Sequence, residues 1–230
     1  MRHTLNQSFF STWTPEMAYV LGFFAADGSM LLNSRGGCFI EFTGADKNIL
    51  VLIQKTIGSN HRLSKRIRTI KGSAVYRFQI GSKQIFSDLL ALGFTQAKSK
   101  TLRMPTIPAR LQGDFIRGYF DGDGCIYFKK LQFADRKKPR LVLQTIFTCG
   151  NKDFLVELRS LLHHRGIAGG SIRNKTRGFD LLLSHKDSVA LYRLMYHTVS
   201  ATGLYLPRKY KHFQKAIKAL YPYWGRSSTG

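Results

Sequence analysis

The sequence contains an internal repeat, and this repeat constrains the fold more than any other feature. The segment Tyr19–Met30 (YVLGFFAADGSM) resembles Asp114–Ile126 (DFIRGYFDGDGCI), and Phe42–Leu50 (FTGADKNIL) resembles Phe147–Leu155 (FTCGNKDFL). A weaker third match pairs FTQAKSK with YLPRKYK. All three matches keep the same order in both copies, which chance would hardly produce. The chain is therefore predicted to fold as two similar units related by a pseudo-twofold axis.

A short segment with two prolines separates the copies. Pro105 and Pro108 hold themselves and the residues before them in extended conformations, which suits a linker. We place the linker at about 104–110 and the boundary near residue 108. The predicted units are therefore 1–108 and 109–230.

Each unit has the pattern helix, two strands, helix, two strands, helix. The first helix is predicted to begin after Thr14, with Pro15 at its first position, and to end at Asp27. Gly28 is then expected in the left-handed cap conformation. The other elements of the first unit are predicted at 38–43 (strand), 48–57 (helix), 61–69 and 74–80 (strands) and 83–92 (helix), and the last helices of the second unit at 186–198 and 208–220. This order predicts an α+β fold with two antiparallel sheets.

The chain is strongly basic, with 36 Lys and Arg against 13 Asp and Glu and a net charge of +23. Such a charge favours a polyanionic partner. Nucleic acid is favoured over an anionic membrane, because the basic residues lie in short β-like runs rather than on one amphipathic helix. No apolar run reaches the ~20 residues of a membrane span, and the N-terminus lacks an apolar signal segment. Three widely spaced cysteines favour neither disulfides nor zinc, so an intracellular protein is expected.

Polar residues alternate with apolar ones along the predicted strands, which places them on one face of each sheet. The first unit contributes Arg62, Ser64, Arg66, Arg68, Arg77 and Gln79, and the second contributes Ser171, Arg173, Lys175 and Arg177. Further polar residues on or beside the strands are assigned to the same surfaces: Asn33, Arg35, Lys129, Gln132, Arg140 and Gln144. An ordinary solvated face would look similar in one unit. Two matched rows favour a pair of DNA-reading sheets, since Arg and Gln suit guanine and adenine edges.

Each repeated helix also ends in Asp-Gly after small residues four positions apart. The small residues are Gly22 and Ala26 in one copy and Gly118 and Gly122 in the other, and they allow two helices to pack backbone to backbone. A carboxylate at a helix C-terminus faces the negative end of the helix dipole, and two such carboxylates also repel each other. A divalent cation relieves both penalties, and oxygen ligands suit Mg²⁺. Asp27 and Asp123 are therefore candidate metal ligands for phosphodiester hydrolysis.

Val20–Gly28 (VLGFFAADG) and Ile116–Gly124 (IRGYFDGDG) resemble the two copies of the LAGLIDADG motif of homing endonucleases. The resemblance implies a monomer with the motif helices at the seam and two four-stranded sheets forming a saddle over duplex DNA. It implies an intron-encoded enzyme that cuts both strands of a long site and leaves short 3′ overhangs. Asp27 and Asp123 would hold the metal with the carbonyls of Ala26 and Gly122. Mg²⁺ is the expected ion, with Mn²⁺ or Ca²⁺ as alternative occupants.

The resemblance further implies one catalytic lysine in each half. Lys98 and Lys209 are the best matches, with Lys100 and Lys211 as competitors, and a plain phosphate contact is the alternative role. The chain departs from the family pattern at Ala25, where many members have an acid, as motif two does at Asp121. It also has Gly44 and Cys149 where a polar, water-positioning residue often stands, so no such role is assigned.

Two other functions stay open at this point. Some family members assist the splicing of their host intron RNA, with or without cutting DNA. Others could retain the fold as DNA-binding regulators without catalysis. The presence of both Asp27 and Asp123, with a candidate lysine in each half, favours the enzyme.

Overall fold

The computed structural model describes residues 3–67, 74–197 and 203–222. The elements of the first half are α1 (Pro15–Asp27), β1 (Gly28–Leu32), β2 (Cys38–Gly44), α2 (Lys47–Thr56), β3 (Ser64–Ile67), β4 (Ala74–Gly81) and α3 (Lys83–Ala91). Those of the second half are α4 (Gln112–Asp123), β5 (Gly124–Leu131), β6 (Arg140–Cys149), α5 (Lys152–His164), β7 (Ser171–Lys175), β8 (Gly178–Leu183), α6 (His185–Tyr196) and α7 (Pro207–Leu220). The predicted α+β class and the repeated order of elements are confirmed.

The strands form two antiparallel four-stranded sheets with the same topology. The first has the order β1-β2-β4-β3 and the second the order β5-β6-β8-β7. Phe42 pairs with Gly28 and Phe78 in the first sheet, and Phe147 pairs with Gly124 and Leu181 in the second. The equivalent register shows that the sequence repeat is a repeat of structure. The predicted boundary near residue 108 lies between α3 and α4 and stays a prediction.

Helix α1 begins and ends at the predicted residues, but the conformation of the residue that follows it differs from the prediction. The Thr14 hydroxyl accepts a hydrogen bond from the Met17 amide at 3.1 Å, which caps the helix start. The expected left-handed conformation of Gly28 is wrong, because its φ is −91° and its ψ is 163°. A Cβ atom at Gly28 would lie 2.1 Å from the Phe24 ring, and one at Gly124 would lie 2.1 Å from the Phe120 ring. Both glycines thus allow the chain to pass from helix to strand directly over a phenylalanine.

Strand β3 is shorter than predicted. The expected strand began at residue 61, whereas β3 begins at Ser64. The side-chain amide of Gln54 donates to the His61 carbonyl, and the Ser59 hydroxyl bonds to the His61 ring at 2.9 Å. His61 is therefore held by side-chain contacts, and pairing with β4 begins at Ser64.

Each motif helix is anchored to its own sheet by aromatic packing. Phe24 of α1 contacts Phe42, with ring centroids 5.3 Å apart, and Phe120 of α4 contacts Phe147 at the same separation. All four rings are fully buried. Burial of one such side chain stabilises the fold by about 1.5–3 kcal/mol. The packing fixes the helix ends relative to the strands that follow them. None of the described helices is both long enough and apolar enough to cross a lipid bilayer.

Candidate active site

The motif helices α1 and α4 pack directly against each other through their glycines, and this contact forms the seam between the two halves. A Cβ atom at Gly22 would lie 2.0 Å from the Phe115 carbonyl oxygen, and one at Gly118 would lie 2.0 Å from the Tyr19 carbonyl oxygen. The two contacts are related by the pseudo-twofold axis. They bring the backbones of the two halves into contact, as the spacing of the small residues predicts.

Asp27 and Asp123 lie together at the ends of these helices. A Cβ atom at Gly122 would be 2.4 Å from Cβ of Ala26 and 3.4 Å from Oδ2 of Asp27, so the Asp27 carboxylate lies beside the other half. Asp123 is accessible to solvent but surrounded by protein atoms in the seam. This desolvation raises the pKa of its carboxyl, and the positive charges of Lys98 and Lys209 oppose the rise.

Lys98 and Lys209 are almost fully buried, with exposures of 7% and 6%. The Lys98 ammonium donates to the carbonyls of Ala25 at 2.7 Å and Ala26 at 3.2 Å. The Lys209 ammonium donates to the carbonyls of Phe120 at 2.5 Å, Asp121 at 2.9 Å and Gly124 at 2.6 Å. Each cation therefore lies at the negative end of a motif helix.

Burial lowers the pKa of both lysines to about 8, and the nearby Asp27 and Asp123 carboxylates oppose this shift. The competing residues Lys100 and Lys211 are exposed. Different local structures hold the two buried lysines. Lys98 begins a short 3₁₀ helix after Ala97, whose φ is 57°, whereas Lys209 lies in the first turn of α7. Lys98 and Lys209 therefore occupy the same position of the weak third repeat, although one lies in a 3₁₀ helix and the other in an α-helix.

Asp121 is a buried acid for which the sequence predicted no role. Its Oδ2 accepts hydrogen bonds from the Tyr19 hydroxyl at 2.8 Å and the Leu206 amide at 2.9 Å. Burial raises the pKa of the Asp121 carboxyl to about 6, while Lys209 opposes the shift. Tyr19 belongs to the first half and Leu206 directly precedes α7. Asp121 therefore ties the seam to the helix that carries Lys209.

A cleft of about 230 Å³ opens beside Asp27. Thr43 and Gly44 at the end of β2 line one side, and Gly122 and Arg208 of the other half line another. Gly44 leaves room where the family pattern often has a polar side chain. Arg208 is a further cation that sequence reasoning missed, although it directly precedes Lys209.

The donors at the seam are oxygens: the carboxylates of Asp27 and Asp123 and the carbonyls of Ala26 and Gly122. No group of three or more His, Cys, Asp or Glu side chains suited to a metal occurs among the described residues. A small number of protein oxygens is what Mg²⁺ uses when water and phosphate complete its coordination. The Ala26 carbonyl also accepts from Lys98, but a carbonyl oxygen has two lone pairs. This donor set fits a hard divalent cation.

The first sheet turns a polar face away from the core. Arg77 lies opposite Thr43 and Ser64 in the ladder, so these side chains share that face, and Arg66 and Gln79 follow at alternate positions. Phe78 and Ile80 of the same strand are buried on the other face. Arg77 also forms an ion pair at 2.9 Å with Glu41, an acid on this face that was not predicted.

The second sheet has the same arrangement. Arg173 lies opposite Asp180, and Ser171 and Lys175 share its face. Gln144 lies opposite Tyr127, Lys129 opposite Val142, and Arg140 opposite Leu131 at the sheet end. Both sheets therefore present strand residues of the predicted sets on the faces away from their cores.

The remaining predicted contact residues lie off the strands. Arg62 precedes β3, Arg177 is in the β7–β8 turn, and Asn33 and Arg35 are between β1 and β2. Oδ1 of Asn33 accepts from the Gly37 amide at 2.7 Å, so it also shapes its loop. Gln132 similarly donates to the Phe133 carbonyl at 3.1 Å. Arg68 lies outside the described residues.

Residues 14–92 match the family model of the LAGLIDADG-like domain. The structure of the I-SmaMI LAGLIDADG homing endonuclease bound to cleaved DNA is similar, with a TM-score of 0.59, 16% identity and coverage of 90% of this chain and 88% of that chain. I-SmaMI bound to its uncleaved DNA target in the presence of calcium ions gives a TM-score of 0.56 and 14% identity, with coverage of 92% of this chain and 93% of that chain. The homing endonuclease I-WcaI bound to its DNA recognition sequence gives a TM-score of 0.55 and 18% identity, with coverage of 87% of this chain and 88% of that chain.

No curated protein sequence matches the chain. At identities this low, the likeness to the solved structures shows the fold. It covers about nine-tenths of the chain and so includes both halves. The family resemblance indicated by the two motifs is confirmed by the domain match and by this shared fold.

Proposed function

We propose that this chain, which carries a LAGLIDADG-like domain at residues 14–92 and has the fold of homing endonucleases with that motif, is a monomeric, site-specific double-strand DNA endonuclease. The observation that carries the proposal is the meeting of two carboxylates and two buried lysines at the seam between the halves. Polar sheet faces flank this seam in a chain with a net charge of +23. I-SmaMI and I-WcaI, which share the fold, are described as bound to DNA.

In the proposed mechanism the two sheets bind the major groove on either side of the cut and bring the backbone to the seam. Asp27 and Asp123, with the carbonyls of Ala26 and Gly122, would hold Mg²⁺. When bound, the ion supplies a Lewis acid for the phosphate and lowers the pKa of a coordinated water.

The two lysines give the site its positive charge. Lys98 and Lys209 hold the carbonyls at the helix ends, which fixes the direction of the neighbouring carboxylates. Their ammonium groups also offset the repulsion between two acids and a phosphate. The cleft beside Asp27 provides space for water and for the scissile group. We propose that hydrolysis of both strands leaves short 3′ overhangs.

The direct test is cleavage of a randomised duplex library by the purified protein, followed by sequencing of the cut ends. We expect cuts at one long motif with Mg²⁺ and none with EDTA, because the carboxylates cannot activate water alone. Parallel reactions with Mn²⁺ and Ca²⁺ test the choice of ion. Selective retention of duplexes without any cutting would contradict the proposal and indicate a DNA-binding regulator. Selective retention of RNA alone would indicate a splicing factor.

We expect Lys98→Met and Lys209→Met each to slow cleavage by about 10²-fold or more, the range for loss of a group that stabilises charge or moves a proton. Methionine fills the buried space but removes the charge that offsets the carboxylates. Strand-resolved cleavage rates measure the effect. Lys100→Met and Lys211→Met are matched controls, since these lysines are exposed. Loss of activity in the controls with normal rates in the Lys98 and Lys209 variants would reverse the assignment.

The same variants should change the pH dependence of stability. The pKa of each lysine is lowered in the folded protein to about 8, so between about pH 8 and the ordinary pKa the unfolded state binds more protons. The free energy of unfolding should therefore rise with pH across this window in the wild type. The rise should be smaller in Lys98→Met and Lys209→Met, as measured by denaturant unfolding.

A further inference from the structure

The second sheet carries an unexpected row of apolar side chains on the face that bears its basic residues. Cys125 of β5 lies opposite Ile146 of β6, and Ile146 lies opposite Leu182 of β8. Leu182 in turn lies opposite Ser171 of β7. The apolar row, defined as Cys125, Ile146 and Leu182, therefore crosses three neighbouring strands at one level of the sheet.

The apolar row faces away from the core. Phe147 and Leu181, the sequence neighbours of Ile146 and Leu182, are fully buried on the other face. Ile146 and Leu182 themselves are half-buried, and Cys125 is exposed. The row is thus available for contact, and the core does not require its apolar character.

The equivalent row of the first sheet is polar. Phe42 and Phe147 occupy matching positions of the repeat, so Glu41 corresponds to Ile146. Glu41 lies opposite Ser29 in β1 and opposite Gln79 in β4. A hydrogen-bonding row and an apolar row therefore stand at the same level in the two halves.

The surroundings of the apolar row indicate what it contacts. Lys129, Arg173 and Lys175 project from the same face of the sheet, so a polyanion is the fitting partner. Cys125 lies two residues after Asp123, which places the row close to the proposed cleavage point. The major groove displays one apolar group on unmodified base pairs, the C5-methyl group of thymine.

We infer that the apolar row reads the C5-methyl group of a pyrimidine in the part of the target nearest the cut, on the side bound by the second sheet. Thymine supplies this group in unmodified DNA and 5-methylcytosine supplies it in methylated DNA. At the equivalent position in the other half-site, Glu41 and Gln79 read hydrogen-bonding base edges. The inference rests on the proposed function and adds that the target is chemically asymmetric.

The test uses the target found in the library experiment. Each thymine of the half-site facing the second sheet is replaced singly by deoxyuridine, which removes only the methyl group. We expect at least one cut-proximal position where affinity falls by about 3- to 5-fold, the value of burying one methyl-sized group. Cytosine and 5-methylcytosine at that position, paired with guanine, show whether the methyl group is recognised on either base.

Variants connect the methyl group to the row. In Ile146→Ala or Leu182→Ala, the affinity for the thymine target divided by that for the deoxyuridine target should fall to about one. The truncated side chain leaves a gap and no longer contacts the methyl group. Val156→Ala, a truncation of an exposed residue on α5, should keep the wild-type ratio. Thermal unfolding checks that each variant is folded, and the deoxyuridine series on the wild type does not depend on any variant.

The outcomes separate the two proposals. If the wild type cuts its target but no cut-proximal thymine responds to deoxyuridine, or if that half-site lacks one, the apolar row does not read a methyl group. The endonuclease proposal then stands alone. An unchanged ratio in both Ile146→Ala and Leu182→Ala overturns the inference in the same way. If no duplex is bound or cut, both proposals fail.

Discussion

Asp27→Asn and Asp123→Asn should each abolish double-strand cleavage while leaving DNA affinity close to that of the wild type. Asparagine preserves the shape of the side chain but removes the negative charge that a divalent cation requires. The loss should reach at least roughly 10²- to 10³-fold, the effect of removing one charge-stabilising group from an active site. Binding should persist, because the proposed DNA-binding residues lie on the sheets and do not include these two acids. Cleavage kinetics with Mg²⁺ and affinity measurements with Ca²⁺ separate the two effects.

Asp135→Asn is the matched control. Asp135 lies in the β5–β6 loop, and its side chain is 74% exposed. The same loss of charge there should leave both cleavage and metal response unchanged. Double-strand cutting at a normal rate by either Asp27→Asn or Asp123→Asn would refute the proposed metal site, whatever the control does.

The positions of the two acids could be predicted because they are encoded locally and twice. The Asp-Gly pair follows an apolar helix in each copy, and the small residues before it define the packing surface. Repetition allowed an otherwise weak turn signal to be interpreted. Lys98 and Lys209 were suggested by the family resemblance, and both contact carbonyls of the motif helices. Their catalytic role stays a prediction.

Other features could not be predicted because they depend on long-range contacts. The hydrogen bond between Tyr19 and Asp121 joins residues 102 positions apart, and nothing in either segment specifies the other. The conformation of Gly28 was mispredicted for a similar reason, because Gly28 is already the first residue of β1 and pairs with Phe42 of β2, which requires an extended backbone. The Asp-Gly sequence suits a left-handed cap, whereas the extended chain here passes over the Phe24 ring. The apolar row could not be recognised from the sequence, because its three residues become neighbours only through the pairing register of β5, β6 and β8.

The packing of α1 against α4 also sets the distance between the proposed metal ligands, since Asp27 is the last residue of α1 and Asp123 is the last residue of α4. A change in the separation of α1 and α4 moves Asp27 relative to Asp123. Catalytic groups lose activity when displaced by about 1 Å. The glycines at the crossing therefore control both the stability of the fold and the geometry of the site.

Gly22→Ala and Gly118→Ala should each destabilise the protein, which reverses the usual effect of this substitution in a helix. Alanine normally stabilises a helix interior by about 1 kcal/mol relative to glycine. Here the added Cβ would lie 2.0 Å from a backbone carbonyl oxygen of the other helix, so one helix must move. We expect a loss of at least the ~1–3 kcal/mol of an overpacked core. This is a large share of a typical stability of about 5–15 kcal/mol.

Denaturant unfolding measures this loss, and Lys215 supplies the reference for helix propensity. Lys215 is an exposed residue within α7, and comparison of Lys215→Ala with Lys215→Gly should favour alanine by about 1 kcal/mol. If alanine at Gly22 or Gly118 stabilises the protein as it does at Lys215, the helices are not in backbone contact. A destabilised variant that still folds at low temperature should also cut slowly, because its two carboxylates are displaced. We therefore expect stability and the proposed cleavage activity to depend on the same two backbone contacts.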